Sequence, residues 1–406
     1  MKIVHISNTD SGGAVELHQA MLEKGFESVM LIKHEDAGTT GNIVKIPRFN
    51  VVRSALGHLI MQKLLSKKPG ESRMFTIPFI GSKVAGNRFL WEADAIYLHF
   101  IAQGNMLSFS ELAKILKLGK PTFFITRDYW PVTGGCHTPL DCNKYLDLCY
   151  DCPILEKIYF FDLVRIQYKC KQKLYSKYKN LHFIALSQNN YNNITRSKII
   201  AENKKYLISN CIDTNIFRPF DKSEARKILG IKPTGLIFGF GARDLSNPFK
   251  GMNILNDALK IIGKRTSSDF LLLTFGKNGI KANEYKIKNL GFLKDKYSLT
   301  LFYNAIDIYI NPSLSETFGN TTLEVLACGI PVVGFNTGGL ADIIDHKKTG
   351  YIAEANNTFD LVQGILETIS LLKQENIKQV CRDKVLSNFS REKILNEHIK
   401  ILKEVL

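Results

Sequence analysis

The chain lacks any run of roughly 20 uninterrupted apolar residues, the length a helix needs to cross a bilayer, so no transmembrane segment is expected. It also lacks internal repeats and low-complexity tracts, which argues against solenoids and biased linkers. Its start, MKIVHIS, has one lysine and a very short apolar run before NTDSGG. That is the pattern of a first strand and not of a signal peptide, so a cytoplasmic protein is expected. Acidic residues are in deficit: 54 Lys and Arg face 38 Asp and Glu, a formal net charge of +16. Such a surface suits nucleic acid, anionic lipid or phosphorylated small molecules. No nucleic-acid-binding signature accompanies it, and charge alone does not choose among the three.

What is present is alternation. At 406 residues, 45% hydrophobic, the chain is too long for one core and fits two domains of about 200 residues each. KIVHI, SVMLI, AIYLHF, TFFIT and HFIAL read as buried strands in the first half. AVELHQAMLEKG and LSFSELAKILKLG read as helices closed by glycine. The segment SNCIDTNIFRPFDKSEA (209–225) breaks the rhythm and reads as a linker. A second set follows, with strands GLIFGFG, FLLLTFG, IDIYINPS and IPVVGFN and helices KGMNILNDALKIIGKR, TTLEVLACG and FDLVQGILETISLL. The expected domains are 1–208, with a cysteine-rich insertion near 130–155, and 209–388. The amphipathic helix 389–406, carrying Ile394, Leu395, Ile401, Leu402 and Val405, is expected to pack back toward the first domain. Alternation of this kind predicts two doubly wound domains, with ligands at the carboxyl ends of the strands and between the domains.

At one such strand end, NPSLSETFGNTTLEVLACGIPVV (311–333) holds Glu316 and Glu324 eight positions apart, with no basic residue nearby in sequence. Two explanations compete: a solvated helix end, or a site that grips hydroxyl groups. FGFGARDLSNPFKG (238–251) follows another strand. It lacks the third glycine of the dinucleotide fingerprint. It does carry Arg243 and Lys250, a planar donor fork and a compact charge that suit diphosphate oxygens, or that serve as ordinary surface cations. A third candidate is SNTDSGG (7–13), where Gly12 and Gly13 would let backbone N–H groups approach an anion at a helix start; a Gly-Gly turn before a helix is also often only a turn.

With these motifs in one chain, the sequence resembles the GT-B glycosyltransferases of family 4, which retain anomeric configuration. The signature is E-x7-E, Glu316 to Glu324, inside E-x-F-G-x-x-x-x-E-x-x-A-x-G-x-P-V-V. NTGGLADII (336–344), TGYIAE (349–354) and SNCIDTNIFRP (209–219) extend the match, with Cys211 where a glycine is usual. HFIAQGNMLSFSEL and YWPVTGGCH further resemble a subgroup of bacterial exopolysaccharide, colanic-acid-like and O-antigen assembly. The resemblance implies a GT-B fold, two Rossmann-like domains facing across a cleft. It also implies a UDP- or GDP-sugar donor and a polyprenyl-diphosphate-linked glycan acceptor. By resemblance Glu324 binds the ribose hydroxyls and Glu316 the donor-sugar hydroxyls, while Thr317, Phe318, Gly319, Asn320 and Thr321 close over sugar and phosphate. Arg243 and Lys250 stabilise the leaving diphosphate with no catalytic cofactor or divalent metal. On the sugar or acceptor side, relatives carry His-Asp where this chain has Arg127 and Asp128, and His99 matches a family histidine that also reads as a packed strand-end residue.

Two features lie outside those motifs. Cys136, Cys142, Cys149 and Cys152 form C-x5-C-x6-C-x2-C, four of eight cysteines within 17 residues. In a reducing compartment that favours a structural zinc over disulfides, with His137 an alternative ligand and an iron–sulfur cluster or free thiols the rival readings. RSALGHLIMQKLLSKK (53–68) places Leu56, Leu59, Ile60, Leu64 and Leu65 near one helical face with cations at its ends, and 157–180 mixes Lys and Arg with Tyr and Phe. Each suits either an anionic membrane surface or a helix packed on its own domain. The family's acceptors favour the membrane, at the inner face of the cytoplasmic membrane. The expected function is therefore a retaining transferase in surface-polysaccharide synthesis. A GT-B epimerase lacks this loop with Lys-Gly, a phosphorylase needs pyridoxal phosphate, and a zinc-containing nucleic-acid-binding protein would be indifferent to Glu316.

Overall fold

A computed structural model describes residues 1–35, 42–156, 162–232, 235–265 and 269–406, the side chains of 62 and 64 excepted. The chain divides into two units, residues 1–209 with 395–406, and residues 210–394. Each is built on one all-parallel sheet.

In the first unit the strands are β1 (Lys2–Thr9), β2 (Glu27–His34), β3 (Ile43–Lys45), β4 (Ala95–His99), β5 (Thr122–Ile125), β6 (Leu181–Ala185) and β7 (Lys205–Leu207), in the order β3-β2-β1-β4-β5-β6-β7. β4, β5 and β6 are buried along their whole length, as parallel strands covered by helices on both faces must be. The last helix, Arg391–Val405, contributes all but its first turn to this unit. There Tyr97 and His398 share a 3.2 Å hydrogen bond and Lys204 pairs with Glu404 at 2.9 Å.

In the second unit the strands are β8 (Leu236–Asp244), β9 (Phe270–Lys277), β10 (Lys286–Asn289), β11 (Ile308–Asn311), β12 (Val332–Phe335) and β13 (Gly350–Ala353), ordered β10-β9-β8-β11-β12-β13. The helix Met252–Arg265 buries Leu255, Ala258, Leu259 and Ile262, a 3.6-residue stripe against the sheet. The helix Thr358–Leu371 starts at Asn357, whose side chain accepts the Asp360 N–H, and buries Leu361, Val362, Ile365 and Thr368. Each sheet reverses its winding once, at β1/β4 and at β8/β11, and ligands of doubly wound sheets bind outside the strand ends at that point.

Candidate active site

The β8/β11 reversal carries the charged motifs. β8 ends at Arg243 and Asp244, and a short turn, Pro248–Lys250, follows. Asn247 caps that turn by accepting the Phe249 N–H at 3.0 Å. Gly251 closes it with φ +72°, and a Cβ there would stand 1.9 Å from the Pro312 carbonyl oxygen. Only glycine lets the β8 turn lie this tightly on the segment that leaves β11. The Leu314 N–H donates to the Phe249 carbonyl at 2.9 Å, completing the juncture. As a result Lys250, remote from the glutamates in sequence, places its Nζ 2.5 Å from Glu316 Oε1. Both side chains are partly exposed, 29% and 17%, so the pair is reachable from solvent. Arg243 is exposed on the same strand end. The G-x-G glycines of β8 serve packing: a Cβ on Gly241 would enter the Phe275 ring, and Tyr309 Oη bonds the Gly241 backbone.

The glutamate loop is braced from behind. Gly338, at φ +54°, lies so close that a Cβ would fall 1.7 Å from the Glu316 carbonyl oxygen. Thr337 donates to the Ser313 carbonyl at 2.9 Å, and Phe318 is buried with its ring edge-on to Phe389. Gly319, at φ +111°, stands at the start of the helix Asn320–Ala327, which no side chain caps. Its positive dipole end is therefore directed along the loop. Asn320 accepts a 2.8 Å hydrogen bond from Asn210, and Thr322 one of 2.9 Å from Asn311. Thr317 and Thr321 are partly exposed on this stretch. Glu324, half-buried on the helix, accepts 2.7 Å from Tyr303 Oη. Burial holds that phenol well above its ordinary range, with the Glu324 charge adding to it, so Tyr303 remains a donor. The sequence reading missed Tyr303, because a tyrosine on the preceding helix carries no motif of its own. It also gave no role to Gly338, although the glycine pair in NTGGLADII was a signal.

The first unit presents a different strand end. Gly12 (φ +61°) and Gly13 open the helix Gly12–Glu23 after β1. His99 ends β4 and is fully buried. Its Nδ1 accepts from Arg127 Nε at 3.0 Å, and its Nε2 lies 3.0 Å from His5 Nδ1. Since a guanidinium only donates, the His99 proton sits on Nε2, which donates to His5 Nδ1. The His5 proton is then on Nε2, which has no partner among the described residues. Burial pushes both imidazoles well below their ordinary range, so they are neutral. Arg127 is buried as well, at 7% exposure. Asp128 is engaged by its own loop, accepting the Trp130 N–H at 2.9 Å and meeting His137 Nδ1 at 2.8 Å. His137 Nε2 in turn meets Thr76 Oγ1 at 3.0 Å, so both its ring nitrogens are engaged. Cys136, Cys142, Cys149 and Cys152 are all free thiols lining one small cavity. A larger cavity of about 470 Å³ opens beside the end of β1, lined by Asn8, Gln103, Asn105, Thr76, His58 and Lys67. Asn105 is fully buried there with neither amide atom partnered among the described residues.

Two Rossmann-like units, the second with an acid–base pair and a braced loop at its topological switch point, define a GT-B chain. Residues 236–370 match the family model described as "Glycosyl transferases group 1". The chain is 28% identical over 222 residues to an N-acetyl-alpha-D-glucosaminyl L-malate synthase of Bacillus anthracis, covering 52% of this chain and 56% of that protein. It is 35% identical over 130 residues to an uncharacterised glycosyltransferase of Methanocaldococcus jannaschii, covering 30% and 36%. The chain thus spans about half or less of the length of these curated relatives. Among solved structures it superposes on HepE of Anabaena in complex with UDP-glucose, with a TM-score of 0.66 at 17% identity over 100% of both chains. Sucrose-phosphate synthase of Thermosynechococcus elongatus gives 0.64 at 14%, over 99% and 98%. Those likenesses establish the fold.

Proposed function

We propose that the chain is a retaining glycosyltransferase that moves a sugar from a nucleoside-diphosphate donor, UDP before GDP, to a hydroxyl of a lipid-linked glycan in bacterial surface-polysaccharide synthesis. The observation that carries this reading is the Lys250–Glu316 pair at the β8/β11 switch point. Lys250 and Glu316 neutralise each other until a donor enters. The diphosphate then takes the ammonium, and Glu316 is released to accept hydrogen bonds from sugar hydroxyls. Glu324, oriented by Tyr303, receives the ribose hydroxyls. As the bond from the anomeric carbon to phosphate oxygen breaks, the leaving diphosphate gains charge beside Lys250, Arg243 and the start of the helix Asn320–Ala327. The acceptor hydroxyl attacks from the same face and gives its proton to the departing phosphate oxygen, so configuration is kept with no covalent intermediate and no divalent metal.

The acceptor reading rests on the first unit. Its 470 Å³ cavity with unpartnered amide groups suits a polyhydroxylated ligand, and Lys67 and His58 at its wall suit the diphosphate of a lipid carrier. The helix Arg48–Leu64 turns Phe49, Val52, Leu56, Leu59 and Ile60 outward along one side, 39 to 72% exposed, with Arg48 and Lys63 exposed near its ends. On an anionic bilayer each cation adds about 1 kcal/mol and the apolar side chains enter the headgroup boundary. The other basic stretch packs on its own unit: the helix Leu163–Lys177 buries Val164, Tyr168, Lys171 and Tyr175 and leaves a solvated basic face. Residues 157–161 of that stretch and the side chain of Leu64 lie outside the described residues. No described helix is long and apolar enough to cross a membrane.

The test is release of nucleotide from a panel of nucleotide sugars, in EDTA, with and without vesicles containing polyprenyl-diphosphate glycans. Turnover of one donor, raised by the vesicles, is expected. Turnover that requires a divalent cation, or none with any donor, contradicts the reading.

A further inference from the structure

We propose that Cys136, Cys142, Cys149 and Cys152 are the four ligands of a closed structural zinc site in the first unit. The four thiols come from separate loops between β5 and β6, yet they line one cavity of about 20 Å³ with Arg73 and Val164 on its wall. That is room for a single water-sized body. Its apolar surroundings make a poor site for water and a suitable one for a soft cation held by sulfur.

Two independent features point the same way. The first is the backbone. The Gly134 N–H donates to Cys149 Sγ at 3.2 Å. The Thr138 N–H faces the Cys136 sulfur, and the Ile154 and Leu155 N–H groups face that of Cys152. Burial raises all three thiols above their ordinary range; amides two and three residues past a cysteine, turned back on its sulfur, oppose that shift and are placed to stabilise a thiolate once a metal binds.

The second is a buried lysine with no described carboxylate partner. Lys171 is fully buried. Its Nζ donates to the Trp130 and Thr133 carbonyls, lies 3.4 Å from the Trp130 ring centroid, and has no described carboxylate within ion-pair distance. Burial without a counter-charge holds Lys171 well below the ordinary lysine range, so its charged form is disfavoured until anions stand beside it. The thiols of Cys149 and Cys136 are among its neighbours, both held protonated by burial, which pushes them up to about 11 and about 12, and Arg73 stands by Cys136 and Cys152. Four thiolates around one Zn²⁺ carry a net charge of 2−, which Lys171 and Arg73 would balance. Each thiol that binds gives its proton to solvent, and no oxidant is needed.

The sulfurs are not drawn together as they stand: among the described residues no group of three or more His, Cys, Asp and Glu side chains is arranged to hold a metal ion. Occupation therefore requires the cysteine side chains to turn into the cavity. His137 stays outside the set, held by Asp128 and Thr76. A filled site would tie the insertion 133–155 to Trp130, whose loop carries Arg127 and Asp128.

The test is elemental analysis of the purified full chain, with thiol titration and cobalt substitution. About one zinc per chain is expected, with the four thiols protected from Ellman's reagent while exposed Cys170 reacts. Cobalt should give the visible and thiolate-to-metal bands of a tetrathiolate centre. Cys142→Ser should lower metal affinity at least about tenfold, and Cys170→Ser should not. A folded, metal-free chain whose four thiols titrate or pair as disulfides overturns the proposal, as does iron with inorganic sulfide. The wild-type measurements decide the matter even if Cys142→Ser fails to fold. They are independent of whether sugar transfer is observed.

Discussion

The two units solve the same topological problem with opposite chemistry. At β8/β11 the strand ends carry Lys250, Glu316, Arg243 and Glu324, close to solvent and held by glycines that let backbone meet backbone. At β1/β4 the sheet carries His99 at the end of β4 and His5 within β1, neutral and fully buried, His5 bonding His99 and His99 accepting from the guanidinium of Arg127. On the proposed function, the first arrangement exchanges one charge partner for another, as a diphosphate site must. The second holds one side chain in one place. A fold shared by both units therefore says little about chemistry; the side chains at its switch points say more.

The largest expected effect breaks the second-unit site. Lys250→Ala and Glu316→Ala should each lower the transfer rate by roughly 10²–10³-fold, the range for losing one preorganised electrostatic contact. Melting temperatures should move little, because a partly exposed pair contributes about 1 kcal/mol or less. Steady-state kinetics beside calorimetric melting would check this.

Gly338→Ala tests the brace. A methyl group 1.7 Å from the Glu316 carbonyl oxygen, at φ +54°, must push the loop away. A loss of roughly 2–3 kcal/mol of stability is expected together with most of the activity, read from urea unfolding and turnover. A neutral outcome would mean that the loop is not held in one position.

The buried histidines make the first unit the acid-sensitive one. Burial lowers His18 to about 4, and His398 to about 3 with the nearby Arg127 charge adding to it. His5 and His99 are also lowered. Each binds a proton more readily unfolded, at an ordinary value near 6.5, than folded. Stability is therefore present above about pH 6.5 and is lost as pH falls toward 4, at roughly 1.4 kcal/mol per pH unit for each such histidine. Hydrogen exchange between pH 7 and 4.5 should show the first unit opening before the second, whose one histidine, His346, lies on an exposed turn.

The smallest effect belongs to Tyr303→Phe. It removes one 2.7 Å hydrogen bond to Glu324 and should cost about 1 kcal/mol, appearing as a several-fold rise in donor KM with kcat nearly kept.

Much of this comparison was legible in the sequence for one unit and little for the other. The strands that read as continuous apolar runs are present, while β3, β7, β10 and β13 were not recognised. Those four have three or four residues each, and β3, β7 and β10 have no buried residue and contain lysine, so hydrophobic patterning hardly marks them. The Glu316 and Glu324 loop was legible because its residues are neighbours in sequence. That Lys250 would meet Glu316 was not, since a positive-φ glycine sets that distance. Nor was the His5–His99–Arg127 row, whose members come from the middle of β1, the end of β4 and the segment after β5 and meet only through the sheet order. Asp128 and His137, adjacent to motif residues, are engaged with each other and with Thr76 and Trp130.

The most direct test is calorimetric titration of UDP, GDP and their sugars into the wild-type chain and Lys250→Ala, in EDTA. One nucleotide family should bind the wild type without a divalent metal and bind the variant at least about tenfold more weakly, the 1.4 kcal/mol or more of a lost charge-assisted contact. Equal affinity in both proteins, or no binding by the folded wild type, would contradict the assignment of the Lys250–Glu316 pair as the seat of the donor diphosphate.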